Sequence, residues 1–119
     1  GDALPGNAVL AGEELDIGGQ AGQGPAAEAQ ARAAWARIDQ ILKSAGMTRA
    51  DVVRTSNTLT DWRDYAGYNA GYGAFVEAPY PPRATMLGAL AQPGARVQIE
   101  ALAHRAGREA LTLEANPPG

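Results

Sequence analysis

Residues 51–91, DVVRTSNTLTDWRDYAGYNAGYGAFVEAPYPPRATMLGALA, predict a strand, a helix and a second strand in succession. The start of this stretch is rich in Val and Thr, which favour β-strands. Apolar and aromatic residues then repeat at helical spacing from Trp62 to Val76. The prolines of PYPPR hold the backbone extended, so we expect Arg83 at the mouth of a strand over 83–91.

Glycine interrupts the predicted helix at Gly67, Gly71 and Gly73. Each interior glycine costs up to about 1 kcal/mol of helix stability relative to alanine. We therefore expect this helix to pack closely on a neighbour, or to leave its backbone open to an approaching group.

Further elements are predicted on both sides of this stretch. Upstream, a long amphipathic helix opens at Pro25 and ends before Gly46, after two short strands at 8–11 and 15–17. Downstream, RVQIEALAHR at 96–105 is typical of a last strand, and the turn QPGA joins it to the strand before it. The predicted order is β-β-α-β-α-β-β.

This order predicts an α+β fold in which two helices cover one face of a mixed sheet. We expect a single domain over residues 1–119, with an irregular lead at 1–7 and a tail at 106–119 that adds at most a short pairing segment. An uncovered apolar face of several hundred Å² would be a docking surface, so we expect a homo-oligomer with clefts between subunits. Depending on register, that face carries Thr85, Leu87 and Ala89, or Ala84, Met86 and Leu90.

Composition argues against several classes of protein. With a net charge of -3, nucleic acid is not expected as the main partner. No run of about 18 apolar residues is available to span a membrane. The chain has no cysteine and one histidine, His104, which excludes disulfides, thiol nucleophiles and a multi-histidine metal site within one chain. The lack of cysteine fits a cytoplasmic protein, and we expect neither a metal nor a cofactor.

Arg83 is the first candidate site residue, because a chain with few positive charges flanks this one with prolines. A guanidinium held at a strand entrance is a fixed fork of donors suited to a carboxylate or a phosphate. The alternative is an arginine that caps the strand end and pairs with a surface acid. The local sequence leaves both interpretations open.

Over most of its length the sequence resembles a known family. RTSNTLTDWRDYAGYNAGYGAFVEAPYPPRATMLGALAQPGARVQIEALAHR, at 54–105, is similar to the RidA/YjgF family of reactive imine and enamine deaminases, and LDIGGQAG at 15–22 resembles its SGQ strand. The resemblance covers roughly 8–105. It implies a chorismate-mutase-like α+β fold, a homotrimer, and sites in the three clefts between subunits. Arg83 corresponds to the family arginine that binds the substrate carboxylate.

Three departures from the family pattern stand out. The position of the family's catalytic glutamate is Gln98, whose amide does not ionise and cannot act as a general base, although it can orient a water. Gly18 replaces the serine of the SGQ strand, and GDALPGN replaces a lead-in that carries an aromatic residue.

The resemblance, read with the residues, gives a set of candidate roles. Arg83, Gln98 and Glu100 are the candidate catalytic residues. Glu100 shares a strand face with Gln98 about 6–7 Å along, where it is either a substitute acid or a structural residue. His104 is interpreted as a strand-end histidine. The candidate substrate-binding residues are Arg83, Gly18, Gly19, Gln20, Asn69, Tyr72 and Thr85; of these, Asn69 and Tyr72 have a purely structural alternative as buried polar groups.

The implied activity is hydrolysis of an imine, an enamine or a related conjugated C=N compound that carries a small carboxylate, specialised by the change to Gln98. One alternative is a non-catalytic homologue that only binds a small carboxylate. Another is an assembly role as a processed subunit of a longer protein, since the sequence starts at Gly1. The expected partners are the small-molecule carboxylate and further copies of the chain, without nucleic acid or membrane.

Overall fold

A computed structural model describes residues 2–4, 6–76 and 81–105, with the backbone alone for residues 2–4. Within these ranges the chain forms an α+β fold. The strands are β1 (Asp2–Leu4), β2 (Ala8–Ala11), β3 (Glu14–Ala21), β4 (Val52–Leu59), β5 (Arg83–Leu87) and β6 (Val97–His104). The helices are α1 (Ala27–Ser44), which follows β3, and α2 (Tyr65–Gly73). Two short 3-10 turns precede other elements: Arg49–Asp51 leads into β4, and Trp62–Asp64 leads into α2. The tail predicted at 106–119 lies outside the described residues.

The helix α1 forms as its sequence predicts. Apolar residues at a spacing of three and four bury one face against the sheet. The helix ends where Gly46 adopts a φ of 72°, a left-handed conformation that costs glycine little. The amide of Met47 then donates to the carbonyl of Leu42 at 2.8 Å and closes the end.

The six strands form one mixed sheet in the order β1-β2-β3-β6-β4-β5. The pair β4 and β5 is parallel, and α2 is the crossover between them; the other pairs are antiparallel. β5 is therefore an edge strand, separated from β6 by β4. It ends at Leu87 rather than at the predicted residue 91, because its partner strand ends at Leu59 and the last hydrogen bond, Gly88 N–H to Leu59 O, is made there.

Both helices cover the same face of the sheet, as predicted. The buried strand residues on this face include Leu15, Ile17, Val97 and Ile99, and they form one core with Trp35 and Ile38 of α1 and Tyr68 and Tyr72 of α2. None of the described helices is both long enough and apolar enough to cross a membrane.

The opposite face, which no helix of the described residues covers, is more polar than expected. The register of β5 directs Ala84 and Met86 to this open face, while Ala89 and Leu90 fall beyond the strand. The expectation of a uniformly apolar face is wrong, because the neighbouring strands alternate and place Asp16, Arg54 and Glu100 here, all exposed.

Two local expectations need correction. The lead at 1–7, predicted to be irregular, contains β1, which pairs with β2 through a turn in which Gly6 and Asn7 have φ values of 81° and 62°. Positive φ at successive residues suits a tight hairpin, which explains the extra strand. The second helix begins at Tyr65 and ends at Gly73, so it is shorter than the predicted Trp62–Val76.

The glycines of α2 differ in what surrounds them. A Cβ atom added at Gly71 would lie 2.4 Å from the carbonyl oxygen of Glu28 in α1, so the two helices approach each other through this residue. A Cβ at Gly73 would meet no atom within 4 Å. Close packing of the helix is confirmed at Gly71, whereas the open backbone at Gly73 agrees with the other expectation, that the helix leaves its backbone accessible.

Candidate functional site

Arg83, the first residue of β5, lies on the helix-covered face beside α2. Its ladder partner is the buried Thr55, and residues paired in this way share a face. The guanidinium carbon is 4.4 Å from the centroid of the Tyr72 ring and 5.6 Å from that of Tyr68. One terminal nitrogen donates to Asn69 Oδ1, and the other donates to the hydroxyl of Tyr68 at 3.4 Å.

Every contact of the guanidinium just described is with a neutral group. Arg32, Arg49, Arg63, Arg96 and Arg105 all have a carboxylate within 4 Å. Among the described residues, no ion pair includes Arg83, so the interpretation that it pairs with a surface acid finds no support there. Arg83 is exposed, and its guanidinium has five N–H donors, more than the two hydrogen bonds just described use.

The ring beneath Arg83 is itself held in place. Tyr72 is 2% exposed, and its hydroxyl shares a hydrogen bond of 2.8 Å with Thr55 Oγ1. The side-chain amide of Asn57 donates to Thr55 Oγ1 at 3.0 Å and to the carbonyl of Ala84 at 3.2 Å. The rings of Tyr72 and Trp35 pack at right angles, with 5.3 Å between their centroids. A buried polar network therefore fixes the platform on which the guanidinium rests.

Tyr68 connects the arginine to the next residue of β5 on the same face. Its hydroxyl lies 3.4 Å from Thr85 Oγ1 as well as from Arg83. Burial raises the pKa of Tyr68, against the opposing influence of the Thr85 hydrogen bond and the Arg83 charge. The phenol is therefore neutral at physiological pH and holds the guanidinium without cancelling its charge.

A second group of candidates lies on β3 and β6. Gln98 packs against β3 where the ladder shifts between Ile17 and Gln20, and a Cβ atom at Gly19 would lie 2.5 Å from Gln98 Cδ. The amide of Gly18 donates to the carbonyl of Asn7 at 2.9 Å. Gln20 is buried, and its side-chain amide donates to the carbonyls of Gly18 and Gly6. These two hydrogen bonds stabilise the irregular part of β3.

The two groups lie on opposite faces of the sheet within one chain. Arg83 pairs with Thr55, whereas Gln98 pairs with Thr58, an odd number of residues further along β4. Alternation along β4 then directs Arg83 to the helix-covered face and Gln98 to the open face. Moreover, β6, which carries Gln98, and β5 stand two strand spacings apart, about 10 Å. A single subunit therefore does not bring Gln98 and Arg83 into one cleft.

Glu100 and His104 follow Gln98 on the open face. Glu100 is exposed and pairs with Ser56, whose other ladder partner is Ala84, so it lies behind the Arg83 site rather than in it. His104 pairs with Glu14 at the far end of β6, in agreement with its interpretation as a strand-end residue. Within the described ranges, no three His, Cys, Asp or Glu side chains cluster as a metal site would require.

Three contributors to the Arg83 site were not among the sequence candidates: Tyr68, Thr55 and Asn57. A signal for each exists in the sequence. Tyr68 precedes Tyr72 by one helical turn, and Thr55 and Asn57 alternate along the strand that precedes the helix. Of the predicted residues, Asn69 and Tyr72 contact Arg83 directly, and Thr85 is linked to it through Tyr68.

Comparison with known proteins identifies the family. A family model described as Endoribonuclease L-PSP matches residues 7–105. The goat protein named 2-iminobutanoate/2-iminopropanoate deaminase is 34% identical over 104 residues, which cover 81% of this chain and 76% of the goat protein. A crystal structure of a YjgF-family protein from Neisseria meningitidis superposes with a TM-score of 0.78 at 33% identity, over 82% of this chain and 84% of that one. The chain belongs to the RidA/YjgF family.

Other RidA/YjgF structures agree. RidA from the Antarctic bacterium Psychrobacter sp. PAMC 21119 superposes with a TM-score of 0.74 at 33% identity, over 82% of this chain and 85% of that one. The YjgF gene product of E. coli gives a TM-score of 0.75 at 31% identity, over 82% and 85% of the two chains. The predicted α+β RidA/YjgF fold is thereby confirmed.

Proposed function

We propose that the chain is a RidA-type hydrolase that releases ammonia from an imine or enamine carrying a carboxylate, in a cleft between the subunits of a homotrimer. The observation that carries the proposal is that Arg83 forms no ion pair with any of the described residues. The guanidinium is exposed and oriented by Asn69, Tyr68 and Tyr72, all neutral. A positive charge held in this way favours a carboxylate that can accept two parallel hydrogen bonds.

The placement of the two candidate groups supports a cleft between subunits. Arg83 and Gln98 point away from opposite faces of one sheet, so a site that uses both needs the Gln98 face of one copy opposite the Arg83 edge of another. β5 is a sheet edge, and its Met86 and Leu87 are 53% and 57% exposed. An edge strand with exposed apolar side chains is suited to contact with another copy.

In the proposed reaction, Arg83 binds the carboxylate and sets the adjacent C=N carbon in the cleft. Water adds to that carbon, and the C=N π electrons pass to the nitrogen. The proton released by the water also goes to the nitrogen, which is basic in the substrate itself. The proton of the new hydroxyl then passes to the nitrogen as well, the C–N bond breaks, ammonia leaves with the bonding pair, and the oxygen forms the C=O bond of a 2-oxo acid. Gln98 contributes by orienting the water, because its amide cannot accept the proton.

A second candidate function is capture of a small carboxylate without turnover. The observation that favours it is the same Gln98, which leaves the Gly19 turn without an ionisable partner at that position. The two candidates share the Arg83 clamp and differ only in chemistry. An experiment that separates binding from ammonia release therefore distinguishes them.

That experiment uses 2-iminopropanoate, generated in the assay by an amino-acid oxidase, and pyruvate as a stable carboxylate for calorimetry. We expect ammonia release faster than spontaneous hydrolysis, together with pyruvate binding, and both should be lost in Arg83→Ala. Pyruvate binding without faster ammonia release would favour the binding function. Neither binding nor release would contradict both.

A further inference from the structure

We infer that the Arg83 site accepts a substrate with a large, planar apolar side chain, an aryl group above all. This inference rests on the proposed function and specifies its substrate class. Its basis is an exposed surface made by Trp62, Tyr65 and Leu87, here called the apolar shelf. These side chains are 52%, 37% and 57% exposed, so the shelf is open in the described residues.

The apolar shelf belongs to a continuous row of aromatic rings along one side of α2. The centroids of Trp62 and Tyr65 are 5.3 Å apart, and those of Tyr65 and Tyr68 are 5.8 Å apart. Tyr72 follows at 5.7 Å from Tyr68. The guanidinium of Arg83 lies over the inner end of this row, on Tyr68 and Tyr72. The row therefore leads directly from the cationic group to the exposed rings.

The order of contacts along β5 gives the direction of the site. Arg83 contacts Tyr72 and Asn69, and Thr85 contacts Tyr68 one helical turn earlier. The strand thus runs antiparallel to α2, so Leu87, two residues further on the same face, lies in the direction of the end of α2 that carries Tyr65. From Arg83 to Leu87 the strand advances about 13 Å.

This arrangement gives the site a cationic end and an apolar end. Asn69 and the hydroxyls of Tyr68 and Thr85 line the cationic end. The apolar shelf consists of two aromatic rings and a leucine side chain, none of which is charged. Aromatic groups pack on one another at centroid distances of about 4.5–7 Å, which is the spacing within the row. A benzyl or indolylmethyl side chain on an Arg83-bound imino acid would extend the row.

The goat relative's name refers to 2-iminobutanoate and 2-iminopropanoate, whose side chains are an ethyl and a methyl group. Such side chains end beside the bound carboxylate and leave the apolar shelf exposed. An aryl side chain would remove part of the shelf from water, and the free energy gained grows with the apolar area buried. Contact with the apolar shelf would therefore favour imino acids with aryl side chains over those with the methyl and ethyl side chains of the goat relative's named substrates.

The test measures pyruvate and phenylpyruvate binding by calorimetry on the full chain. We expect phenylpyruvate to bind about tenfold more tightly than pyruvate. Trp62→Ala and Tyr65→Ala should each reduce this ratio by about threefold or more, since each removes one ring of the shelf. Val9→Ala is the matched control, because Val9 is 47% exposed on the opposite side of the sheet, and it should leave the ratio unchanged.

The outcomes keep this inference apart from the proposed function. If Arg83→Ala abolishes binding of both ligands while the shelf variants leave the ratio at its wild-type value, the inference is overturned and the clamp stands. If Arg83→Ala leaves pyruvate binding intact, the proposed function itself fails. If the shelf variants change the sedimentation coefficient and not the ratio, the shelf is a contact between copies of the chain, and the inference is likewise overturned.

Discussion

The ring of Tyr72 lies beneath the guanidinium of Arg83, with 4.4 Å between the centroid and Cζ. A cation over an aromatic face gains roughly 0.5–2 kcal/mol, and the charge of the cation stays available to a further partner. A carboxylate in the same place would have neutralised it. The tyrosine therefore orients the arginine and leaves its positive charge in place.

Substitutions at Arg83 distinguish the contribution of its charge to carboxylate binding from the contribution of its planar guanidinium. We expect Arg83→Ala to abolish calorimetric binding of small carboxylates and Arg83→Lys to retain only part of it, because lysine keeps the charge and loses the planar fork. Arg32→Ala, which removes an exposed arginine on α1, should bind like the wild type. Equal affinity in the wild type, Arg83→Ala and Arg83→Lys would exclude a carboxylate clamp.

The platform beneath the arginine is tested at Tyr72. Tyr72→Phe keeps the ring and removes the 2.8 Å hydrogen bond with Thr55, so we expect it to lower the free energy of unfolding by about 1 kcal/mol and to preserve carboxylate binding. Tyr72→Leu removes the ring and should weaken binding as well. Urea denaturation and calorimetry report the two effects, and equal binding by the Phe and Leu variants would show that the ring does not matter.

Gln98 is tested by restoring an acid. We expect Gln98→Glu to raise the rate of ammonia release from 2-iminopropanoate, since a positioned general base typically contributes about 10²- to 10⁴-fold. Glu100→Gln is the companion variant, because Glu100 is the neighbouring acid on the same face. A rate that falls in Glu100→Gln and does not rise in Gln98→Glu would assign the proton transfer to Glu100.

The raised pKa of Tyr68 gives a prediction for alkaline pH. The folded protein holds this proton more tightly than the unfolded chain, whose tyrosine pKa is about 10. The contribution to the free energy of unfolding is therefore fully present below about pH 10 and decreases as the pH rises through the raised pKa. Phenolate absorbance should show a late titration step that is missing in Tyr68→Phe. An identical titration curve for the two proteins, scaled for one tyrosine, would contradict this.

The proposed trimer is tested at the edge strand. We expect three copies of the chain by light scattering at micromolar concentration, and dissociation on Met86→Glu, which would bury a charge at the exposed side of β5. Gln40→Glu adds the same charge on the exposed surface of α1 and should leave the mass unchanged. A stable monomer in the wild type would contradict the proposed assembly.

Local signals predicted much of this fold. The helix α1 follows from apolar spacing between Pro25 and Gly46, and the position of Arg83 at a strand entrance follows from the prolines before it. The sheet face on which Arg83 lies could not be predicted, because either set of alternating residues in RATML could face the core. Only the pairing of Arg83 with Thr55 shows that Arg83 lies on the helix-covered face. The distribution of the site over two faces of the sheet was missed for the same reason.

The lead and the glycine turn show a second limit. β1 pairs with β2 through the hairpin at Gly6. The side-chain amide of Gln20 donates to the carbonyl of Gly6, which is 14 residues away in the sequence. Neither contact leaves a local pattern in the sequence. Tyr68 could have been predicted as a site residue, since it lies one helical turn from Tyr72. Its hydroxyl contact with Arg83 could not, because that contact depends on the parallel pairing of β5 with β4.

The close approach of Gly19 and Gln98 also constrains how this sequence can change. Any side chain at position 19 would begin 2.5 Å from Gln98 Cδ and would push the glutamine out of its present rotamer. The two positions are thus coupled: a larger residue at 19 would displace the Gln98 amide from its present position against β3, whereas a shorter residue at 98 would remove the contact. Retaining Gly19 therefore keeps the side chain at 98 where it lies now, so a change of chemistry at 98 and a change of size at 19 are not independent steps for this lineage or for an engineer.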